Sequence, residues 1–467
     1  MENKLTKKYG LLTAICMVVG TVVGSGIFVK AGKVLENTNG NMLKCLITVG
    51  GVGLIMLICS YVFSILAQRH EKVNGIVDYS EVTCGRKFAY IVGWFMTTIY
   101  YPTITSTLAW VSGKYTCVLF GWDPCSDLHI AVSAFYLICG YFVNAMSPKL
   151  AGKFQVSATF IKFVPLLVMG VVGTIVGLKN GNIGEAFSAN IVPEGGASGS
   201  IIAAMCAFAF AYEGWIITTS INSELKNSKK NLPIALVLGA IIVVSIYLLY
   251  FLGLSGILKT EELIDLNKLD ADLIPKHAFT TLFKNEVFGT IVSVFIVISC
   301  LGTMNGLMIG CCRGMYSIAV RGEGPAHKMF AQVDNETNMP HNSSIIGVAL
   351  CMLWMFPPAI IGWENDELPI ITLYGLYIPI FVVLMIKGKG LNVFQRFIMP
   401  FVACVCCGFM VYSAIAAYKI QSLYYLIVFA VITLIGILCY KGRISLAFFK
   451  KEESIASEPV TEASETK

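Results

Sequence analysis

Two short stretches carry the residues that could do chemistry. The first is Gly20–Phe28, GTVVGSGIF, inside an apolar run that begins at Leu11. The second is Phe208–Trp215, FAFAYEGW, another apolar run interrupted by glycine, here beside an acid. Glycine disfavours a helix interior but permits unusual backbone angles and lets a ligand approach the main chain. A break in a helix frees C=O groups at the end of its first half and N–H groups at the start of its second. The N–H end carries partial positive charge and suits a carboxylate; the C=O end suits an ammonium. An amino acid zwitterion supplies both in one molecule, and Ser25 adds a hydroxyl. The competing reading of the first stretch is packing, because Gly20 and Gly24 have the Gly-x-x-x-Gly spacing of close helix pairs. The second interrupted stretch favours binding.

Lys162 and Glu213 are the charges placed deepest in apolar runs. Lys162, in SATFIKFVPLL, lies about eight residues from the cytoplasmic end of its run, roughly 12 Å along a helix. It either snorkels or serves as an internal cation that contacts carbonyls of a broken helix, replaces a driving ion and could couple to protons. Glu213 either sits at a wet break without special role, contacts the substrate amine or couples to protons. Phe208, Phe210, Tyr212 and Trp215 crowd the second break. Most are packing residues, and Phe210 is chosen as a thin gate over the cavity.

The elements that must position these residues follow from composition. The chain of 467 residues is 56% hydrophobic and 13% charged, with a mean hydropathy of +0.74; soluble domains are about a quarter charged. Runs of about 18 to 25 apolar residues, long enough to span a bilayer, are predicted near 11–36, 44–66, 89–119, 128–146, 155–178, 199–221, 232–257, 285–319, 344–362, 368–386, 397–418 and 422–440. This predicts an all-α polytopic membrane protein of twelve helices. The first run is too long for a signal peptide and lacks a small-residue cleavage site, so it is expected to remain. Residues 1–10 are expected to form an N-terminal segment, 11–440 the twelve-helix domain and 441–467 a polar tail, read as disordered.

Of the 34 Lys and Arg, 23 fall on the side of both termini, 10 on the other and one, Lys162, inside a helix. Both termini are therefore expected in the cytoplasm. The net charge of +6 is this loop bias and gives no nucleic-acid footprint. Most of the 16 cysteines lie in apolar runs and read as small hydrophobes. Cys117 and Cys125 flank a predicted outer loop and could pair. No spacing suggests a metal or cofactor.

Gly26 and Gly214 are 188 residues apart, a distance of five predicted helices. Interrupted helices at corresponding places in two five-helix halves are the mark of inverted-repeat transporters. The sequence resembles the amino acid–polyamine–organocation (APC) superfamily and, within it, a bacterial-type member of the L-type amino acid transporter (LAT) family. GTVVGSGIF resembles the helix 1 signature. FAYEGW followed by SELKNSKKNLPIAL resembles the helix 6 break and the helix 6–7 loop. CCRGMYSIAVRGEGP, at 311–325, resembles the end of helix 8, and Lys162 stands where Na⁺-independent members keep a helix 5 lysine.

The resemblance implies a leucine-transporter-like five-plus-five inverted repeat with helices 1 and 6 broken and helices 11 and 12 outside it. It implies that Ser25 and Gly26 bind the substrate carboxylate, with Ile27 next in the amide run. Val22 supplies a carbonyl for the amine, as do Phe210 and Glu213. Phe210 is the aromatic gate, and Lys162 occupies the site that other relatives fill with sodium. Position 213 is often glycine or aspartate in relatives, and the usual Lys-Asn-Pro of the loop is Lys226-Asn227-Ser228 here. Animal relatives pair with a single-span glycoprotein through a disulfide; nothing in the sequence calls for that or another obligatory protein partner.

The function expected is Na⁺-independent exchange of neutral L-amino acids across the plasma membrane by alternating access. A proton-coupled amino acid symporter is the alternative within the superfamily. A membrane-embedded enzyme is disfavoured because all five histidines fall at loops or helix ends, and a channel because no filter-like loop appears.

Overall fold

The computed structural model describes residues 9–70, 75–123, 126–146, 148–189, 200–270, 273–334, 336–337, 339–361 and 367–440. Cys125, residues 1–8 and the tail from 441 lie outside them. The first helices are α1 (Leu11–Val22), α2 (Gly26–Val29), α3 (Ala31–Asn37), α4 (Met42–Arg69), α5 (Ile76–Cys84), α6 (Arg86–Phe95) and α7 (Tyr101–Phe120). Next come α8 (Asp127–Met146), α9 (Pro148–Leu167), α10 (Thr174–Asn180), α11 (Asn182–Ser188), α12 (Ile201–Ala209) and α13 (Ser228–Ile257). The chain continues through α14 (Thr260–Asp270), α15 (Leu273–Phe283), α16 (Glu286–Ala319) and α17 (His327–Phe330). It ends with α18 (His341–Ile361), α19 (Pro369–Lys387), α20 (Met399–Tyr418) and α21 (Ile420–Cys439). The described residues form no sheet; one isolated parallel bridge joins Tyr9 to Leu225.

Hydrocarbon offers no partner to a backbone amide, so apolar runs of this length must close their hydrogen bonds internally as helices. Ten described segments are long and apolar enough to cross a membrane, which makes the chain a multi-pass membrane protein. Two predicted spans fall outside the ten. The run predicted at 89–119 is one continuous helix, α6 and α7 joined through a π-helical turn at Met96–Tyr100. Its Thr97, Thr98, Thr103 and Thr105 are buried within the protein, so this segment has less of a plain hydropathy signal. The α18 segment qualifies only as a shorter apolar helix, His341–Pro357.

The interrupted spans lie at the centre. Buried residues make up 78% of the most apolar window of Leu11–Val29 and 78% of Ile201–Thr219, against 22% for the last helix. That placement is what makes the breaks affordable, since irregular backbone at membrane depth needs protein around it rather than lipid. α1 packs on α9, α13 and α16, and α12 on α3, α4 and α20. At the other extreme, α20 and α21 leave Phe401, Val405, Leu423, Ile427 and Leu434 exposed for lipid.

Close backbone approach sets the position of α10, and of the π-helical turn Val168–Gly173 before it, against α13. A Cβ on Gly173 would stand 2.6 Å from the Gly253 carbonyl oxygen, and one on Gly177 would stand 2.2 Å from the Gly256 Cα. Small residues here let the two main chains touch. In the loop before α13, Asn227 takes the left-handed conformation at φ 47° and Ser228 opens the helix. Ser228 thus stands at the first helical position, where relatives carry the proline, without the fixed φ that a proline would supply.

Candidate functional site

The first break has a simple cause. α1 ends at Val22, Val23 is extended, and α2 begins at Gly26. Val23 N–H still donates to Val19 O at 2.8 Å, and the next backbone donors to find acceptors are Phe28 and Val29, both onto Ser25 O at 2.9 Å. The amides of Gly24, Ser25, Gly26 and Ile27 have no acceptor among the described residues. Ser25 Oγ is buried and equally without a partner. Four free donors and a hydroxyl at the start of a half-helix are the equipment for holding an anion.

Lys162 closes the opposite end of the same break. Its fully buried Nζ donates to Gly20 O at 2.8 Å, to Thr303 Oγ1 at 3.0 Å and to Val23 O. Three ammonium donors thus meet three acceptors, two of them carbonyls at the negative end of α1. Thr303 Oγ1 itself lies 3.1 Å from Gly20 O and 2.9 Å from Val23 O, within donating reach of both. The lysine does not snorkel. It is an internal cation capping the first half of a broken helix.

The second break is sharper. α12 gives way to a single 3₁₀ turn at Phe210–Tyr212, Glu213 is extended, Gly214 is left-handed at φ 101°, and Trp215–Glu224 continues as 3₁₀ helix. Gly214 is required twice. Its φ is one that L side chains rarely adopt, and a Cβ there would stand 2.6 Å from Thr21 O. Gly214→Ala is expected to lower the melting temperature in detergent by several degrees and to reduce transport strongly. Unchanged melting and transport would show that this turn is not constrained.

The two breaks face each other. A Cβ on Gly26 would meet Ala211 Cα at 2.5 Å, so Gly26 lies against the turn after α12. Its glycine therefore serves close packing of the two breaks as well as any ligand. Glu213 is 4% exposed. Its Oε2 accepts from Tyr100 O–H at 2.6 Å, while Oε1 has no partner and no described cation pairs with either oxygen. Phe210 is buried in the wall, with the Lys30 ammonium 5.6 Å from its ring centroid. Phe210 O accepts from Glu213 N–H at 3.1 Å.

Val22 O, Ser25, Gly26, Ile27, Phe210 and Glu213 thus lie around the meeting point of the two breaks, with Lys162 beneath the first. Three further residues belong to this region. Tyr247, on α13, reaches both breaks: its O–H is 2.9 Å from Ala211 O and 3.3 Å from Val22 O. Thr303, on α16, shares the lysine's acceptors. Tyr100 comes from the π-helical turn. A hydroxyl inside an apolar run was the available signal for each, but many such hydroxyls only bond back to their own helix, as Thr103 does to Ile99 O.

On the side where α1 begins, a small cavity lies between α1, α8, α9 and α16, lined by Tyr9, Met17, Asn144, Gln155 and Arg313 among others. A buried pair of interrupted helices with unpaired main-chain donors facing each other is the architecture of transporters of small polar solutes.

Residues 9–438 match the family model for amino acid permeases, and the chain belongs to that family. It is 28% identical over 377 residues to the serine/threonine exchanger SteT of Bacillus subtilis (strain 168), covering 81% of this chain and 82% of that one. It is 26% identical to the mouse b(0,+)-type amino acid transporter 1, covering 84% of this chain and 78% of the other. The human cystine/glutamate transporter is 26% identical, covering 76% and 68%. The protein is an amino acid transporter of the APC superfamily and its LAT family.

Proposed function

We propose that the protein is a Na⁺-independent exchanger of neutral L-amino acids that works by alternating access. The observation that carries this reading is the fully buried Lys162 ammonium, with its three donors on Gly20 O, Val23 O and Thr303 Oγ1. A fixed cation bonded to the end of α1 does the electrostatic work of a bound metal cation. The substrate carboxylate is held by the free amides from Ser25 to Ile27 and by Ser25 Oγ. Its ammonium is held by Val22 O and the carbonyls of Phe210 and Glu213, and Phe210 gates the site. The exchange names of SteT and the proposed twelve-helix, five-plus-five plan agree with this reading. The Lys and Arg distribution favours both termini in the cytoplasm, and the reading takes the membrane to be the plasma membrane. No partner subunit is part of this reading.

The experiment is uptake of labelled serine, threonine, alanine and leucine into proteoliposomes that are empty or loaded with the same amino acid. Exchange requires loaded vesicles and no sodium. Equal uptake by empty vesicles removes exchange; a need for sodium removes the role given to Lys162.

A second reading rests on Glu213, whose buried carboxylate has one unpartnered oxygen and no cation beside it. A group in that position could carry a proton, and an inward pH gradient would then drive uptake into empty vesicles. Under the exchanger reading its role is to support the substrate ammonium. Glu213→Gln keeps an acceptor for Tyr100 but removes the charge, and is expected to raise the KM for exchange about tenfold with little change in kcat. An unchanged KM would place the carboxylate away from the substrate.

A further inference from the structure

α1 and the 3₁₀ run Trp215–Glu224 are the two half-helices that lead from the breaks to the face where α1 begins, and they pack against each other. They are fastened at both ends. At the breaks, Gly214 lies so close to α1 that a Cβ there would stand 2.6 Å from Thr21 O. At the far end Tyr9, just before α1, forms an isolated parallel bridge with Leu225, the residue after the 3₁₀ run, and Lys226 N–H donates to Tyr9 O at 2.9 Å. Leu225 is fully buried. The winding of the second segment fits this arrangement. The 12 residues of α1 span about 18 Å at about 1.5 Å each. The 10 residues of Trp215–Glu224 span about 20 Å as 3₁₀ helix but only about 15 Å as α-helix. A 3₁₀ run of this length is uncommon, and here it lets the chain leave Gly214 and still reach Tyr9.

We propose that α1 and the 3₁₀ run are one rigid moving part, and that the backbone bridge between Tyr9 and Leu225 is the fastener that makes them so. The part moves off α9 and α16 as a unit whenever the site opens to the face where α1 begins, and the bridge stays closed throughout the cycle. Tyr9, Leu225 and Lys226 are positioning residues that act through the two half-helices. This inference rests on the alternating-access reading above.

The contacts on the other side of α1 support it. Lys162 ties α9 to α1 at the break, through Gly20 O and Val23 O. Toward the face where α1 begins, the contact with α9 runs through a shared hydroxyl. Thr159 Oγ1 lies 3.3 Å from Cys16 O on α1 and 2.7 Å from Gln155 O on its own helix. Gln155 Nε2, buried against Gly20, has no hydrogen-bond partner among the described residues. A buried donor without an acceptor disfavours the closed seam, and water satisfies it once α1 moves off. Backbone contacts therefore fasten α1 to the 3₁₀ run, while a shared hydroxyl and an unsatisfied amide line its seam with α9. The second seam is the one that parts, about a pivot at Lys162.

The test links the bridge covalently and, separately, deletes its hydrogen bond. Paired strands lie about 4.8 Å apart, inside the Cα separation of about 4.4–6.8 Å that a disulfide spans. Tyr9→Cys with Leu225→Cys is therefore expected to link on oxidation, as read by mass spectrometry; a pair that does not link counts against the bridge itself. Exchange of labelled L-serine in proteoliposomes is measured on the linked and the reduced protein, with the wild type treated alike to account for its native thiols. The linked protein is expected to exchange as fast as the reduced one. Exchange lost on linking and regained on reduction overturns the proposal, because the bridge must then part in each cycle. Lys226→Pro removes the N–H that bonds Tyr9 O, and Leu225 already has the extended backbone that a following proline requires, at φ −89° and ψ 128°. This variant is expected to exchange serine about fivefold more slowly, with amides of residues 11–22 exchanging hydrogen about fivefold faster, the worth of one backbone hydrogen bond. Lys226→Ala loses the charge but keeps the N–H, and is expected to match the wild type in both. Linking the two cysteines in the Lys226→Pro protein is expected to restore the rate. A Lys226→Pro protein equal to Lys226→Ala in both readings overturns the fastener, as does one that linking fails to rescue. Hydrogen exchange needs no substrate, so a wild-type protein that fails to exchange serine counts against the transport reading, and the proline–alanine comparison still judges the fastener.

Discussion

Lys162→Ala is expected to reduce amino acid exchange by about two orders of magnitude while the protein still folds and inserts. The loss follows from what the ammonium does. It places a full positive charge against Gly20 O and Val23 O, the last carbonyls of α1. Without it, the negative end of the half-helix faces a buried space with no counter-charge, next to the amides proposed to bind substrate. Folding should survive because Thr303 remains within reach of the same two carbonyls, at 3.1 and 2.9 Å. The single hydroxyl proton of Thr303 keeps one of the two carbonyls bonded, and the other loses its donor along with the charge. Exchange rates together with a melting curve check this. A variant that exchanges at the wild-type rate would remove the lysine from the mechanism; one that fails to fold would make Lys162 a structural cation.

Gly26→Leu is expected to abolish substrate binding, lowering affinity by at least about a hundredfold. The reason is partly the one apparent from the motif, that a side chain would crowd the free amides of Ser25 and Ile27. The structure adds a second. A Cβ at this position points at Ala211, 2.5 Å from its Cα and 2.8 Å from its Cβ. Any side chain must therefore push the turn after α12 away from the start of α2, and the donors and acceptors of the two breaks would no longer converge on one ligand. Ligand-induced thermal stabilisation measures the effect directly. A variant that keeps the wild-type stabilisation by amino acids would place the pocket elsewhere. Gly26→Ala should show a smaller loss of the same kind, since even one methyl meets backbone.

The membrane class, the two interruptions and the lysine inside a helix were legible in the order of residues. An apolar run can only be a helix in hydrocarbon, and glycine inside such a run is costly unless the chain needs it. Hydropathy was weakest where the interior is polar. In Arg86–Phe120 the threonines face inward, so composition alone understates a helix that supplies Tyr100 to the site. The helix 6 break was legible at Gly214, but the 3₁₀ geometry of Trp215–Glu224 was not, because no residue pattern there distinguishes it from α-helix.

By itself the sequence determined that this chain crosses membranes, where its backbone must break, and which lysine lies inside a helix; that Lys162 does not snorkel was decided by the structure. The first three follow from local rules: the reach of an apolar run and the freedom of glycine. Only the tertiary structure decided that the two breaks meet, that Gly26 abuts Ala211, and that Tyr247 links Val22 O to Ala211 O. It alone brought Lys30 and Glu367 together, 337 residues apart. Contacts over such separations depend on how whole helices pack, and no short window of residues contains that information.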